Sequence, residues 1–146
     1  MAESFDPTIK QDTPEGKEKL VRRILIAEDE HLIRDNYVDF FEAQGFIVDV
    51  VSDGQMLLDK LYNSTEKYDL VITDNNMPAV TGLEALKKIR GDERFNNLPI
   101  MMVSAEEGKV EDEVKALDLT AFMYKPSLMA DMLKKAEELW EKVDSR

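Results

Sequence analysis

Five short, largely apolar runs, each closed by a polar or charged residue, constrain this chain more than any other feature. They are Ile24–Ala27, Phe46–Val51, Leu70–Ile72, Ile100–Val103 and Ala121–Tyr124. Runs of this length, rich in β-branched residues, are too short for ordinary helices and read as buried strands. Between them, apolar residues recur at helical spacing. Leu32, Ile33, Tyr37, Phe40 and Phe41 form the first set, and Met56, Leu57, Leu58 and Leu61 the second. Leu83, Leu86 and Ile89 follow, then Val110, Val114 and Leu117. The last stripe is Leu128, Met132, Leu133, Ala136, Leu139, Trp140 and Val143. Strictly alternating strands and helices predict an α/β fold, a parallel sheet covered by helices on both faces. Right-handed crossovers and a single switch point predict the strand order 2-1-3-4-5, a doubly wound, flavodoxin-like three-layer sandwich.

The punctuation is consistent with that frame. Gly45 suits a left-handed C-terminal cap for the first helix, and Ser52 suits an N-cap for the second. Asn63–Lys67 and Gly91–Asn97 read as loops, and Gly82 as a tight turn into the third helix. Pro99 introduces the fourth strand, and Ser127 reads as the cap of the last helix. The 146 residues suffice for one domain with its own core, placed at 22–146. Residues 1–21 carry Pro7, Pro14, Gly16 and many charges without periodicity. They read as a flexible extension, with Leu20 and Val21 beginning to dock on the domain.

Composition removes several functions. The formal net charge is -12, from 31 acidic and 19 basic residues. A field of that sign repels phosphate backbones, so direct nucleic-acid binding is not expected. Cysteine is absent, which excludes disulfides, thiolate metal sites and a catalytic thiol. The first residues lack the basic and apolar regions of a signal peptide. No apolar run is long enough to span a bilayer. A soluble cytoplasmic protein, without membrane attachment, is the expectation.

Chemistry concentrates where the runs end. The first strand delivers Glu28 and Asp29, the third Asp74, the fourth Ser104 and the fifth Lys125. In the predicted winding these strands lie side by side, so their ends share one crevice. Taken alone, Asp74 is equally a turn residue before Pro78. Glu28 and Asp29 are equally an acidic first turn that favours a helix dipole, and Ser104 could simply cap the fourth helix. Taken together, three carboxylates would repel one another, and a hard divalent cation relieves that repulsion. An all-oxygen donor set favours Mg²⁺, Mn²⁺ or Ca²⁺. A hydroxyl and an ammonium are surplus in a structural metal site, but they suit a phosphoryl group. Asp74 itself could be the nucleophile that forms an acyl phosphate.

At these residues the chain resembles the receiver domain of two-component response regulators, the CheY-like fold, from about Arg23 to Lys142. The resemblance rests on Ile24-Leu-Ile-Ala-Glu-Asp-Glu30 and on Asp69-Leu-Val-Ile-Thr-Asp-Asn-Asn-Met-Pro78 with Thr81-Gly-Leu-Glu84. Ile100-Met-Met-Val-Ser-Ala105 and Tyr124-Lys-Pro126 complete it, in this order and at this spacing. It implies that Asp74 is the phosphoacceptor and Asp29 a direct ligand of Mg²⁺ or Mn²⁺. Glu28 would hold the ion through water, and the Asn76 backbone carbonyl would complete the shell. Ser104 and Lys125 would bind phosphate oxygens, and Ser104 and Phe122 would form the switch. It further implies a histidine kinase or phosphotransfer protein as donor, and a downstream protein target or output domain. The readable surface would be the fourth helix, fifth strand and fifth helix, and a phosphorylation-dependent homodimer is allowed. Self-phosphorylation and dephosphorylation are expected, rather than enzymatic turnover on other substrates. No output domain follows the fifth helix within this sequence.

Four positions depart from the common pattern. Ser104 replaces a frequent threonine. Phe122 replaces a frequent tyrosine and so lacks a phenolic hydroxyl. Ser127 follows Lys125-Pro126 where a large apolar residue is common. Asp118 stands where glycine often ends the fourth helix, and a left-handed conformation there would cost about 1–2 kcal/mol. That segment is expected to be shortened or rearranged.

Two readings of other classes compete. An aspartyl-phosphate phosphohydrolase of the haloacid-dehalogenase type wants an acid two residues after its nucleophile. Here that position is Asn76, whose amide exchanges no proton usefully. A flavin-binding protein of similar winding should welcome phosphate at its first loop, where Glu28-Asp29-Glu30 would repel it. The sole histidine, His31, is expected to be solvated in a first helical turn.

Overall fold

The computed structural model describes residues 11–12, 18–19, 21–105 and 108–146. Its elements are β1 (Arg23–Ala27), α1 (His31–Ala43), β2 (Ile47–Val51), α2 (Gly54–Asn63), β3 (Leu70–Thr73) and α3 (Gly82–Arg90). A 3₁₀ turn, Glu93–Phe95, follows. Then come β4 (Ile100–Ser104), α4 (Lys109–Lys115), β5 (Thr120–Tyr124) and α5 (Met129–Asp144). The sheet is wholly parallel, in the predicted order β2-β1-β3-β4-β5. Most of the 1–21 extension lies outside the described residues. Within it, Gln11–Asp12 pairs antiparallel with Glu18–Lys19. Val21 is buried as expected, and Leu20 falls outside.

Side chains on successive strand residues point to opposite faces, and the core divides accordingly. Leu25, Val71, Met102 and Phe122 pack with Leu57 and Leu61 of α2, Leu86 and Ile89 of α3, and Val114 of α4. Ile24, Ile26, Leu70, Ile72, Met101 and Val103 pack with Phe41 of α1 and with Met132, Ala136, Leu139 and Trp140 of α5. Strands buried on both faces explain why their sequences are continuous rather than alternating apolar runs. The order reverses between β1 and β3, which opens the crevice at their carboxyl ends.

Several punctuation readings are corrected. Asp53, not Ser52, caps α2, its carboxylate accepting the Met56 N–H at 2.7 Å. Leu128 stands at the N-cap of α5 without a side-chain cap, while the Ser127 hydroxyl turns back to the Tyr124 carbonyl. Gly108, not Ser104, precedes α4. Gly45 does adopt the expected left-handed conformation, at φ 95°. The helix α4 is short, 7 residues, as the Asp118 departure suggested. The left-handed residue in that connection is Leu119, at φ 55°, one position beyond Asp118.

Gly82 serves closeness rather than a turn. It opens α3 behind Thr81, whose hydroxyl accepts the Glu84 N–H at 3.1 Å in a capping box. A Cβ on Gly82 would stand 2.1 Å from the Asp74 backbone oxygen. Only glycine lets the helix start press this tightly against the end of β3.

Candidate functional site

The parallel ladder positions the site. Asp74 donates its backbone N–H to the Ala27 carbonyl at 3.1 Å, so the residues after β1 and β3 emerge together. Glu28 donates its own N–H to the Val51 carbonyl at 3.1 Å, which turns its side chain inward. Glu28 and Asp74 are buried, at 1% and 8% exposure, whereas Asp29 is exposed. One carboxylate oxygen from each of the three lies within 4.8 Å of the others. The expected acidic cluster is therefore assembled.

Lys125 closes it. The ladder bond from the Lys125 N–H to the Ser104 carbonyl, 3.0 Å, sets the lysine beside the end of β4. Its ammonium donates to Glu28 Oε1 at 2.8 Å and to Asp74 Oδ2 at 3.0 Å. Asp74 Oδ1 accepts the Asn75 N–H at 2.7 Å and the Asn76 N–H at 3.3 Å. Ser104 is fully buried, and its backbone is tied directly to Lys125. Phe122 is buried in the layer beneath α4 and edge-on to Tyr124, with ring centroids 5.1 Å apart. His31 is exposed, as expected.

Charge is unbalanced here. Burial, aided by the Asp74 charge and opposed by Lys125, pushes the Glu28 carboxyl up to about 7. Burial would drag the Lys125 ammonium down, but its bonds to Glu28 and Asp74 outweigh that and raise it. Two buried carboxyl groups thus share one ammonium, with the Asp29 carboxyl group beside them. Glu28 Oε2 is buried and has no hydrogen-bond partner among the described residues. A buried, unpaired carboxylate oxygen is costly. One more positive charge would relieve it, and the all-oxygen donors fit a hard divalent cation.

Residues not singled out from sequence support the arrangement. Asn75 is buried; its Oδ1 accepts the Leu83 N–H at 2.9 Å and its carbonyl the Gly82 N–H at 3.1 Å. It thus joins the phosphoacceptor candidate's loop to the start of α3. Arg34 of α1 donates from Nη1 to the Glu28 carbonyl at 2.8 Å. A short amide immediately after a strand-ending aspartate was the available signal for Asn75. Nothing local in the sequence distinguishes Arg34.

A family model of the response regulator receiver domain matches residues 24–137. Response regulator RppA of Synechocystis is 34% identical over 119 residues, covering 80% of this chain and 50% of its own length. Chemotaxis protein CheY of Pseudomonas aeruginosa is 30% identical over 124 residues, 84% of this chain and 98% of its own. The chain thus spans half of one relative and nearly all of the other. Among solved structures, CheY4 of Vibrio cholerae superposes with a TM-score of 0.73 at 28% identity, over 82% of this chain and 98% of that one. TrrA of Thermotoga maritima, solved in complex with Mg²⁺ and BeF, gives 0.70 at 27% identity, over 82% and 99%. By sequence and by fold, the chain belongs to the response regulator receiver domain family.

Proposed function

We propose that Asp74 accepts a phosphoryl group from a phosphohistidine of a histidine kinase or phosphotransfer protein. The observation that carries this reading is the Lys125 ammonium bridging Asp74 and Glu28 within a cluster of three carboxylates. An Asp74 carboxylate oxygen attacks phosphorus, the P–N bond breaks, and the electron pair returns to the imidazole. Oδ1 is held by two backbone N–H groups, whereas Oδ2 accepts the Lys125 ammonium, and Oδ2 is the oxygen we assign to react. Lys125 then shifts to a phosphoryl oxygen, joined by the Ser104 hydroxyl.

Asp29, Asp74 and the Asn76 backbone carbonyl would hold Mg²⁺ or Mn²⁺, with Glu28 acting through water. The ion supplies charge compensation at the phosphoryl oxygens. A cleft of about 460 Å³ beside Lys125, lined by Ile33, Tyr37, Pro126 and Met129 among others, gives a donor side chain room to approach.

The added charge, about −1.5 to −2, shifts a two-state equilibrium. Phe122 and α4 are the elements placed to respond. The Thr120 hydroxyl bonds the Val114 and Leu117 carbonyls at 2.7 and 2.9 Å, and the Tyr124 hydroxyl bonds Glu111. These bonds tie β5 to both ends of α4. Tyr124, 41% exposed, lies on the face of α4, β5 and α5 that a target protein or output domain would read. We assign the chain to cytoplasmic signalling without turnover of outside substrates, because Asn76 offers no general acid two residues beyond Asp74.

Incubation with Mg²⁺ and a small acyl or amido phosphate should add one phosphoryl group per chain, read by intact mass. Hydroxylamine should remove it, as it must a mixed anhydride, and Asp74→Asn should prevent it. A hydroxylamine-stable adduct, or an undiminished one in Asp74→Asn, would overturn the assignment.

A further inference from the structure

We infer that Arg34 is a positioning residue for the cation end of the site, fixing the Glu28–Asp29 peptide through its bond to the Glu28 carbonyl. This rests on the metal reading above.

The peptide after β1 is where the chain leaves the ladder. On its amino side the Glu28 N–H is still tied to β2, at 3.1 Å from the Val51 carbonyl. On its carbonyl side no strand is left to supply a donor, because Asp29 already lies outside β1 and α1 begins only at His31. Arg34 supplies that donor from one turn into the helix, 2.8 Å away and partly buried. Its own N–H continues the helix to the Glu30 carbonyl at 3.0 Å, so the side chain folds back over the turn it belongs to. One residue thereby anchors both the start of α1 and the peptide preceding it.

That peptide carries Asp29. A peptide unit is planar, so fixing the Glu28 carbonyl also fixes the Asp29 N–H and limits the directions open to the Asp29 side chain. Asp29 is exposed and is the one carboxylate of the three without burial to hold it. Glu28 needs no such help, because Lys125 and the surrounding core already hold its side chain. Outer partners that orient a ligand commonly change metal affinity 10–100-fold when removed.

The opposing effect makes the inference decidable. Arg34 is a cation close to where another cation would bind. If it acted only through charge, removing it would tighten Mg²⁺ binding. If it positions Asp29, removing it weakens binding although a repulsive charge has gone. The two accounts differ in sign.

The test is calorimetric titration with MgCl₂ of the whole chain, as wild type, Asp29→Ala, Arg34→Met and Arg34→Lys. Methionine keeps the stem and loses the donor; lysine keeps a donor and the charge. Arg34→Met should bind Mg²⁺ about tenfold more weakly, and Arg34→Lys should recover a substantial part of that loss. Melting without Mg²⁺ gives the control, since a purely structural role would lower the melting temperature and leave Mg²⁺ affinity unchanged. Arg34→Met binding as tightly as wild type, or more tightly, overturns the inference, while loss of Mg²⁺ binding in Asp29→Ala upholds the metal reading. Asp29→Ala binding like wild type overturns both.

Discussion

The two ends of the sheet are built on opposite terms. At the amino ends of the strands, polar groups meet partners of opposite character. Arg90 reaches four carbonyls, those of Phe95 at 2.9 Å, Asp118 at 2.7 Å, Leu119 at 3.3 Å and Leu98. Asp49 accepts from Arg23 at 2.8 Å and from the Tyr68 hydroxyl at 2.6 Å. Asp69 accepts the Arg23 N–H at 2.8 Å through its carboxylate and the Trp140 indole N–H at 2.8 Å through its carbonyl. Arg23 Nε is the lone buried side-chain atom there without a partner among the described residues. At the carboxyl ends, three carboxylates face one ammonium, and Glu28 Oε2 has no partner among the described residues. One end is closed, and the other is held short of positive charge. Proteins place such local costs where function needs them and offset them elsewhere.

This contrast fails first if the closed end proves dispensable. Arg90→Ala should destabilise the protein by about 3 kcal/mol or more, because it leaves several carbonyls without their charged donor. The loss should be the same with and without Mg²⁺. Denaturant unfolding in both conditions checks this, and a Mg²⁺-dependent loss would blur the division between the ends.

Next in size is the open end's response to a cation. Binding to the folded state alone stabilises by RT ln(1 + [L]/Kd), about 2.7 kcal/mol at a hundredfold excess over Kd. Magnesium should raise the melting temperature accordingly, and Asp29→Ala should abolish most of the rise. An equal rise in both proteins would remove the cation from the account.

The closed end also carries a pH signature. Burial would raise the Asp49 carboxyl, but the bonds from Tyr68 and Arg23 outweigh it and hold it below the usual carboxylate range. A depressed folded-state pKa contributes stability that is present above the ordinary carboxylate value. That stability is lost as pH falls through the depressed value. Tyr68→Phe should therefore cost about 1 kcal/mol near neutrality and soften the acid side of the stability profile. A parallel downward shift at every pH would assign the cost to packing instead.

The smallest effect is the most pointed. Asp74→Asn removes one charge from the crowded end and should leave the Mg²⁺-free protein as stable as wild type, or up to about 1 kcal/mol more stable. A clear loss would mean that the Lys125 bridge outweighs the repulsion.

Sequence carried the open end further than the closed one. Glu28, Asp29, Asp74, Ser104 and Lys125 each follow a strand visible as an apolar run, so topology alone places them together. Arg90 reads as an ordinary basic residue in the last turn of a helix, and only the fold reveals the carbonyls around it. Caps failed where two capable residues adjoin, because side-chain direction rather than type selects Asp53 over Ser52. Gly82 was noticed for the wrong reason, since crowding by the Asp74 carbonyl is invisible before the helix is docked. The shortened α4 followed from the missing glycine, but the strain settled on Leu119 rather than Asp118.

The central claim is that phosphoryl chemistry occurs at the end of β3 and at no other hydroxyl, carboxyl or imidazole of the open end. Borohydride reduction converts an aspartyl phosphate to homoserine, which peptide sequencing locates. After Mg²⁺-dependent phosphorylation by a small donor or a competent kinase, homoserine should appear at position 74 alone. Homoserine at position 29, phosphate retained on Ser104 or His31, or no modification with either donor would contradict the account.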